Sequence, residues 1–270
     1  MQTTDPKPPV TDEIDPAFER LTPDAPGPAL VLCDHATNHV PDWIPGGTLG
    51  LSDADMGRHI AHDVGAAGVA RRLALELDAP AVLSRFSRLV IDPNRGADDP
   101  TLVMKLYDGS IIPANRHADE AEVARRRALA YDPYHDAITR TIDAMLARGT
   151  VPHIISIHSF TPQLRGKPPR PWHVGVLWDR DGRLAEPLIA RLRAEPDLVV
   201  GDNEPYTGAL RGDCMNVHGT RRGLPHVLIE IRNDLIAEPA DQAAWAMRLA
   251  PILRDLIAAS GVTAGAAVPT

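Results

Sequence analysis

Ala29-Leu30-Val31-Leu32-Cys33, running straight into Asp34-His35-Ala36-Thr37-Asn38-His39, is the stretch that decides the fold. Five consecutive apolar residues predict a strand buried on both faces, as in a mostly parallel sheet covered by helices. The polar cluster at its carboxyl end falls where open α/β sheets gather their ligands. Outward from this strand the pattern repeats. Apolar residues at helical spacing predict a helix over 52–77, with Ser52 or Asp53 as N-cap, and strands follow at 81–83 and 89–91, the second ending in the turn Asp92-Pro93-Asn94-Arg95-Gly96. A long helical stretch over 118–148 is expected to break near Asp132-Pro133, because proline cannot donate within a helix. Strands at 154–157, 173–178 and 226–231, a short one at 199–200, and helices at 183–194 and 240–259 complete the alternation.

The chain has 270 residues and a formal charge of −8, with 44% hydrophobic and 24% charged residues, which is enough apolar material for one large α/β domain. Seven prolines in residues 1–28 predict an extended N-terminal arm. The catalytic domain is then expected over 29–262 and a flexible small-residue tail over 263–270. The acidic balance argues against a nucleic-acid partner, which requires a basic stripe. A mean hydropathy of −0.17 without a long apolar window argues against a membrane span. Two cysteines without a CxxC pair and a terminus lacking a signal pattern place the expected protein in the cytoplasm.

Polar groups recur at strand ends: His35, the segment 92–95, and His158, with Glu230 in a further strand. Two histidines and a carboxylate are the smallest protein ligand set of a catalytic zinc, and His35 and His158 are the two candidate imidazoles. Glu230, flanked by isoleucines, is either paired with an arginine or turned to a polar site. Arg95 beside Asn94 has the planar fork suited to a substrate carboxylate. Tyr206, on a loop bounded by proline and glycine, is placed to close over a substrate. His135 and His218 are left without a role.

Three segments resemble zinc carboxypeptidases in chain order. Ile91-Asp92-Pro93-Asn94-Arg95 resembles their Val-Asp-Ala-Asn-Arg, Ser156-Ile157-His158-Ser159-Phe160 their Ser-Ile-His-Ser-Tyr, and Ile229-Glu230-Ile231-Arg232 their Phe-Glu-Leu-Arg. A closer resemblance, over about residues 28–240, is to the N-formylglutamate amidohydrolase family. It rests on residues 33–41, His62-Asp63-Val64-Gly65-Ala66, residues 87–95, Asn203-Glu204-Pro205-Tyr206-Thr207-Gly208 and residues 222–235. The resemblance implies a three-layer α/β/α sandwich with a mixed, mostly parallel sheet, of the zinc carboxypeptidase-like (phosphorylase/hydrolase-like) kind. It further implies one zinc ion and a small N-acyl amino acid substrate, N-formyl-L-glutamate first, hydrolysed to formate and the amino acid in amino-acid catabolism.

Carried onto this chain, the resemblance makes His35 and His158 metal ligands and Glu230 the catalytic base. Asn94 and Arg95 would hold the α-carboxylate, while Arg211 or Arg232 would read a side-chain carboxylate. Arg88 would polarise the scissile carbonyl or serve in a structural ion pair. The carboxypeptidase pattern His-x-x-Glu meets Asn38 here, so the carboxylate ligand is sought at Asp63, inside the predicted helix, with Asp34 as runner-up. The alternatives are a carboxypeptidase-like peptidase or deacylase acting on a larger substrate, and a non-catalytic binding module that has lost its metal.

Overall fold

The computed structural model describes residues 11–261. The predicted tail at 263–270 and the first ten residues of the predicted arm lie outside that range. In chain order the strands are β1 (Thr11–Ile14), β2 (Phe18–Leu21), β3 (Ala29–Cys33), β4 (Ala81–Ser84), β5 (Leu106–Tyr107), β6 (Ser110–Ile111), β7 (His153–Phe160), β8 (Val174–Leu177), β9 (Val200–Asp202) and β10 (His226–Arg232). The α-helices are α1 (Asp53–Met56), α2 (Ala66–Glu76), α3 (Glu120–Arg126), α4 (Asp132–Ala147), α5 (Ala185–Arg193), α6 (Cys214–His218) and α7 (Pro239–Ala259). No helix among the described residues is long and apolar enough to cross a membrane.

Eight strands form one mixed sheet in the order β1-β2-β4-β3-β7-β10-β8-β9, and β5 and β6 form a separate hairpin. The central run β4-β3-β7-β10 is parallel throughout, so these strands end at one edge. Antiparallel pairs join β1 to β2, β2 to β4 and β8 to β10. Strand periodicity divides the interior into two layers. Val31, Ile155, Ile157, Val227 and Ile229 meet α2, α5 and α7, whereas Leu30, Leu32, Ile154 and Leu228 meet α4 and the loops over the other face. This is the α/β/α sandwich read from the sequence. Helix α2 shows why: Ala66, Val69, Ala70, Leu73 and Ala74 form one buried stripe at helical spacing.

Three local expectations are corrected and one is refined. The stretch read as an extended arm is extended, but β1 and β2 within it are hydrogen-bonded onto the sheet. The helix expected over 52–77 is two helices separated by an irregular segment, because Gly65 sits at φ +80° and starts α2 afresh. The long helix is interrupted close to Asp132-Pro133 as expected, by a π turn at Arg127–Tyr131, and Pro133 lies in the first turn of α4 that starts directly after it. The run Leu89-Val90-Ile91 is a buried turn rather than a strand. Its carbonyls are taken by side chains instead of a ladder: Asn115 Nδ2 donates to Leu89 O and Arg126 to Val90 O, each at 2.7 Å.

Candidate active site

The carboxyl ends of β3, β7 and β10 bring their polar residues to one cavity of about 230 Å³. His35 follows β3 by two residues, while His158 and Glu230 are register partners on β7 and β10. On both strands these positions share a face with Leu32 and Leu228, above the second layer.

Each histidine is held from behind by a carboxylate. His35 Nε2 donates to Asp92 Oδ1 at 2.7 Å, which leaves Nδ1 facing Asp63 Oδ2 at 3.3 Å. His158 Nε2 donates to Asp34 Oδ2 at 2.9 Å and turns Nδ1 to the same Asp63 oxygen at 2.8 Å. Such outer carboxylates fix tautomer and ring orientation in metal sites. They are themselves fixed. Tyr134 and Ser156 donate to Asp34 at 2.7 and 3.0 Å, while Asp92 takes Nε and NH2 of Arg88 at 3.1 and 2.8 Å and the Asn94 backbone N–H at 2.9 Å.

The donor set of His35, Asp63 and His158 fits a cation: one ligand atom from each lies within 4.8 Å of the others, and all three residues are buried. The charge balance agrees. Asp34, Asp63 and Asp92 are faced by two permanent cations, Arg88 and, at 4.0 Å from Asp92, Arg95, so with neutral imidazoles one negative charge is left over for a bound cation to offset. Burial opposes charge on both imidazoles, yet the carboxylates outweigh it and raise His35 and, further, His158 above the ordinary histidine range. Asp63 is likewise held well below the carboxylate range, burial notwithstanding, by His35 and His158.

Glu230 behaves oppositely. The residue is 6% exposed, Oε2 has no hydrogen-bond partner, and burial pushes the carboxyl up to about 7. A carboxylate in this state near neutral pH is suited to proton transfer.

Arg88 lines the cavity while bridging Asp92 and Asp63, the latter through NH1 at 3.3 Å, so it does form an ion pair there. Its fork has donors beyond those bonds. Asn94 Oδ1 accepts the Cys214 N–H at 3.1 Å, leaving its amide NH₂ uncommitted to that bond. Arg95 also lines the cavity, and its closest acid is Asp92 at 4.0 Å. Tyr206 stands at the wall beneath the Arg170 guanidinium, whose NH1 lies 3.1 Å from the phenol oxygen; burial pushes that phenol up to about 12.

Two candidate arginines are not brought here. Arg232 forks onto Asp234 at 2.7 and 3.2 Å and is not in the cavity wall, while Arg211 pairs with Asp98 away from it. Asp63 lies in the irregular segment before α2 rather than in a helix, and Ser159 N–H holds the Asp63 Oδ2 atom at 3.2 Å. Asn38 is exposed and donates to Met56 O at 2.9 Å, so the position of the missing glutamate plays no part in the cluster. Sequence reasoning missed the anchoring roles of Asp34 and Asp92, and it missed His59 and Asp213 in the wall. Asp213 had a readable signal, since it is the N-cap of α6 and its side chain accepts from Asn216 N at 2.7 Å.

A family model described as N-formylglutamate amidohydrolase matches residues 27–237. Among solved structures, a gene product from Agrobacterium tumefaciens is 36% identical and superposes with a TM-score of 0.84, over 90% of this chain and 95% of that one. A second, N-formylglutamate amidohydrolase from Ralstonia eutropha JMP134, is 22% identical with a TM-score of 0.57, over 89% of this chain and 99% of that one, and shares the fold. No curated protein matches the sequence.

Proposed function

The chain belongs to the N-formylglutamate amidohydrolase family, and from that premise we propose that it hydrolyses a small N-formyl amino acid, N-formyl-L-glutamate first, with a zinc ion held by His35, Asp63 and His158. The observation that carries the reading is the convergence of two carboxylate-anchored histidines and Asp63 in one cavity with the unpartnered Glu230. Zinc there would supply Lewis-acid polarisation of a carbonyl and of water.

The residues divide the remaining work. Asn94 and Arg95 hold the α-carboxylate, which fixes the formyl carbon beside His158 and Glu230 in the same cavity. Glu230 takes a proton as a water oxygen bonds to that carbon. Arg88 donates to the oxygen on which negative charge develops. The C–N bond then breaks with its electron pair passing to nitrogen, which receives the proton from Glu230, and formate and the amino acid leave. Tyr206 narrows the mouth.

The cavity volume, about 230 Å³, lies below the roughly 300–1,000 Å³ of sites for drug-sized ligands and favours a short acyl group over a peptide. Metal content and formate release test the reading together. Purified protein is expected to carry close to one zinc in the triad and to release formate from N-formyl-L-glutamate, with activity removed by chelation and restored by zinc. Bound zinc without formate release would overturn the substrate. No binding after zinc addition would overturn the metal.

Arg95→Ala is expected to raise KM by about 10–100-fold with little change in kcat, the loss of a charge-assisted pair being about 1.5–3 kcal/mol. An unchanged KM would remove Arg95 from the clamp.

A further inference from the structure

A second cluster lies behind the loop that carries Asn94 and Arg95, and the proposed hydrolysis makes no use of it. Cys214 and His218 stand four residues apart on α6, the i,i+4 spacing that sets two side chains on one helix face. His135, from the first turn of α4, meets them from across the layer. One donor atom from each of the three lies within 4.8 Å of the others. The side chains are 9%, 0% and 2% exposed for His135, Cys214 and His218.

His135 is oriented as a ligand would be. Its Nε2 lies 3.0 Å from Pro93 O, and a carbonyl can only accept, so the proton is on Nε2 and the Nδ1 lone pair turns to the cluster. There it meets His218 Nε2 at 2.8 Å, with the two rings stacked at an interplanar angle of 19°. One thiol and two imidazoles, closed off from solvent, are a donor set for a borderline-soft cation rather than for magnesium or calcium.

We propose that Cys214, His218 and His135 form a second metal site, distinct from the His35, Asp63 and His158 triad, for a divalent cation of the zinc class. Loading opens the hydrogen bond between the rings, places the His218 proton on Nδ1 and releases the Cys214 thiol proton to solvent, so the cation meets one thiolate and two neutral imidazoles. Asp34, toward which that thiol donates, keeps its bonds from Tyr134, Ser156 and His158. The site would brace the loop above it. Pro93 O is held by His135, Asn94 Oδ1 by the Cys214 N–H, and Arg95 O by the Tyr131 hydroxyl at 2.9 Å.

Sulfur separates the two sites, because the triad contains none. Full-length protein stripped with chelator is titrated with Co²⁺, and bound cobalt and the near-ultraviolet absorption are followed together. Wild-type protein is expected to develop a sulfur-to-cobalt charge-transfer band. Cys214→Ser is expected to lack that band and to bind one equivalent less than wild type, and His218→Gln to bind one equivalent less with the band lost or weakened. Both differences are taken against wild type and hold whether or not the triad is loaded. Cobalt binding to wild type without the band, or a band and stoichiometry unchanged in Cys214→Ser, would overturn the site.

Discussion

Glu230→Gln is expected to lower kcat for formyl hydrolysis by about 10²–10⁴-fold, the usual contribution of a general base, while zinc content stays at the wild-type level. Glutamine keeps the volume and hydrogen-bonding edge of the side chain between Ile229 and Ile231 but cannot accept a proton. The pH profile carries the same argument. Glu230 must be ionised to act; burial pushes its carboxyl up to about 7, and a cation in the triad pulls it down again. The acid limb of kcat/KM should therefore fall with an apparent pKa no higher than about 7. Stability gives the independent check. A carboxyl raised in the folded state remains protonated there after the unfolded chain has released its proton, so stability declines as pH rises from about 4.5 to about 7. Metal-free Glu230→Gln lacks that cost and should melt higher than metal-free wild type at pH 8. A variant that lost activity and also melted lower would show Glu230 to be structural.

What the sequence disclosed follows from where burial acts on both sides of an element. Strands β3, β7 and β10 were legible because they are covered above and below, so β3 reads as a continuous apolar run and β7 and β10 carry the apolar stretches Ile154-Ile155 and Val227-Leu228-Ile229. The same rule misled at Leu89-Val90-Ile91, equally buried but closed by Asn115 and Arg126 side chains that come from beyond residue 110. It misled again before α2. Ile60 and Val64 keep helical spacing, yet a Cβ at Gly65 would meet Ile236 O at 2.1 Å, a contact known only once the chain from β10 is in place. The histidines at strand ends were legible for a similar reason, since a parallel sheet sends its carboxyl ends to one edge. Their anchors were not. Which of Asp34, Asp63 and Asp92 faces which ring nitrogen depends on the pairing of β3 with β7 and on the path of the 85–95 loop. Arg232 was misassigned because Asp234, two residues on, captures its fork.

That ambiguity among carboxylates is resolved by a paired substitution. Asp63→Asn is expected to lose the triad's equivalent of zinc and to abolish formate release, whereas Asp34→Asn should weaken binding of that equivalent by only about 10–100-fold, the usual effect of removing an outer partner. Asp63 alone receives both inward-facing nitrogens on one oxygen, with Ser159 N–H and Arg88 fixing the carboxylate. An amide there loses the anionic charge and offers a neutral oxygen or, if turned, an N–H donor toward the imidazoles. Asp34 touches only the outer nitrogen of His158; an amide whose oxygen takes the Oδ2 position still accepts from His158 and Ser156, while its N–H meets a Tyr134 hydroxyl that can turn to accept, so the Nδ1 side is unchanged. Zinc retention measured by equilibrium dialysis against a competing chelator reads both variants on one scale. If Asp34→Asn emptied the site while Asp63→Asn stayed loaded, the roles would be reversed and Asp34 would be the ligand. If neither variant lost an equivalent relative to wild type, the retained cation would be bound outside the triad, and the same dialysis on Cys214→Ser would show whether the buried cysteine site holds it.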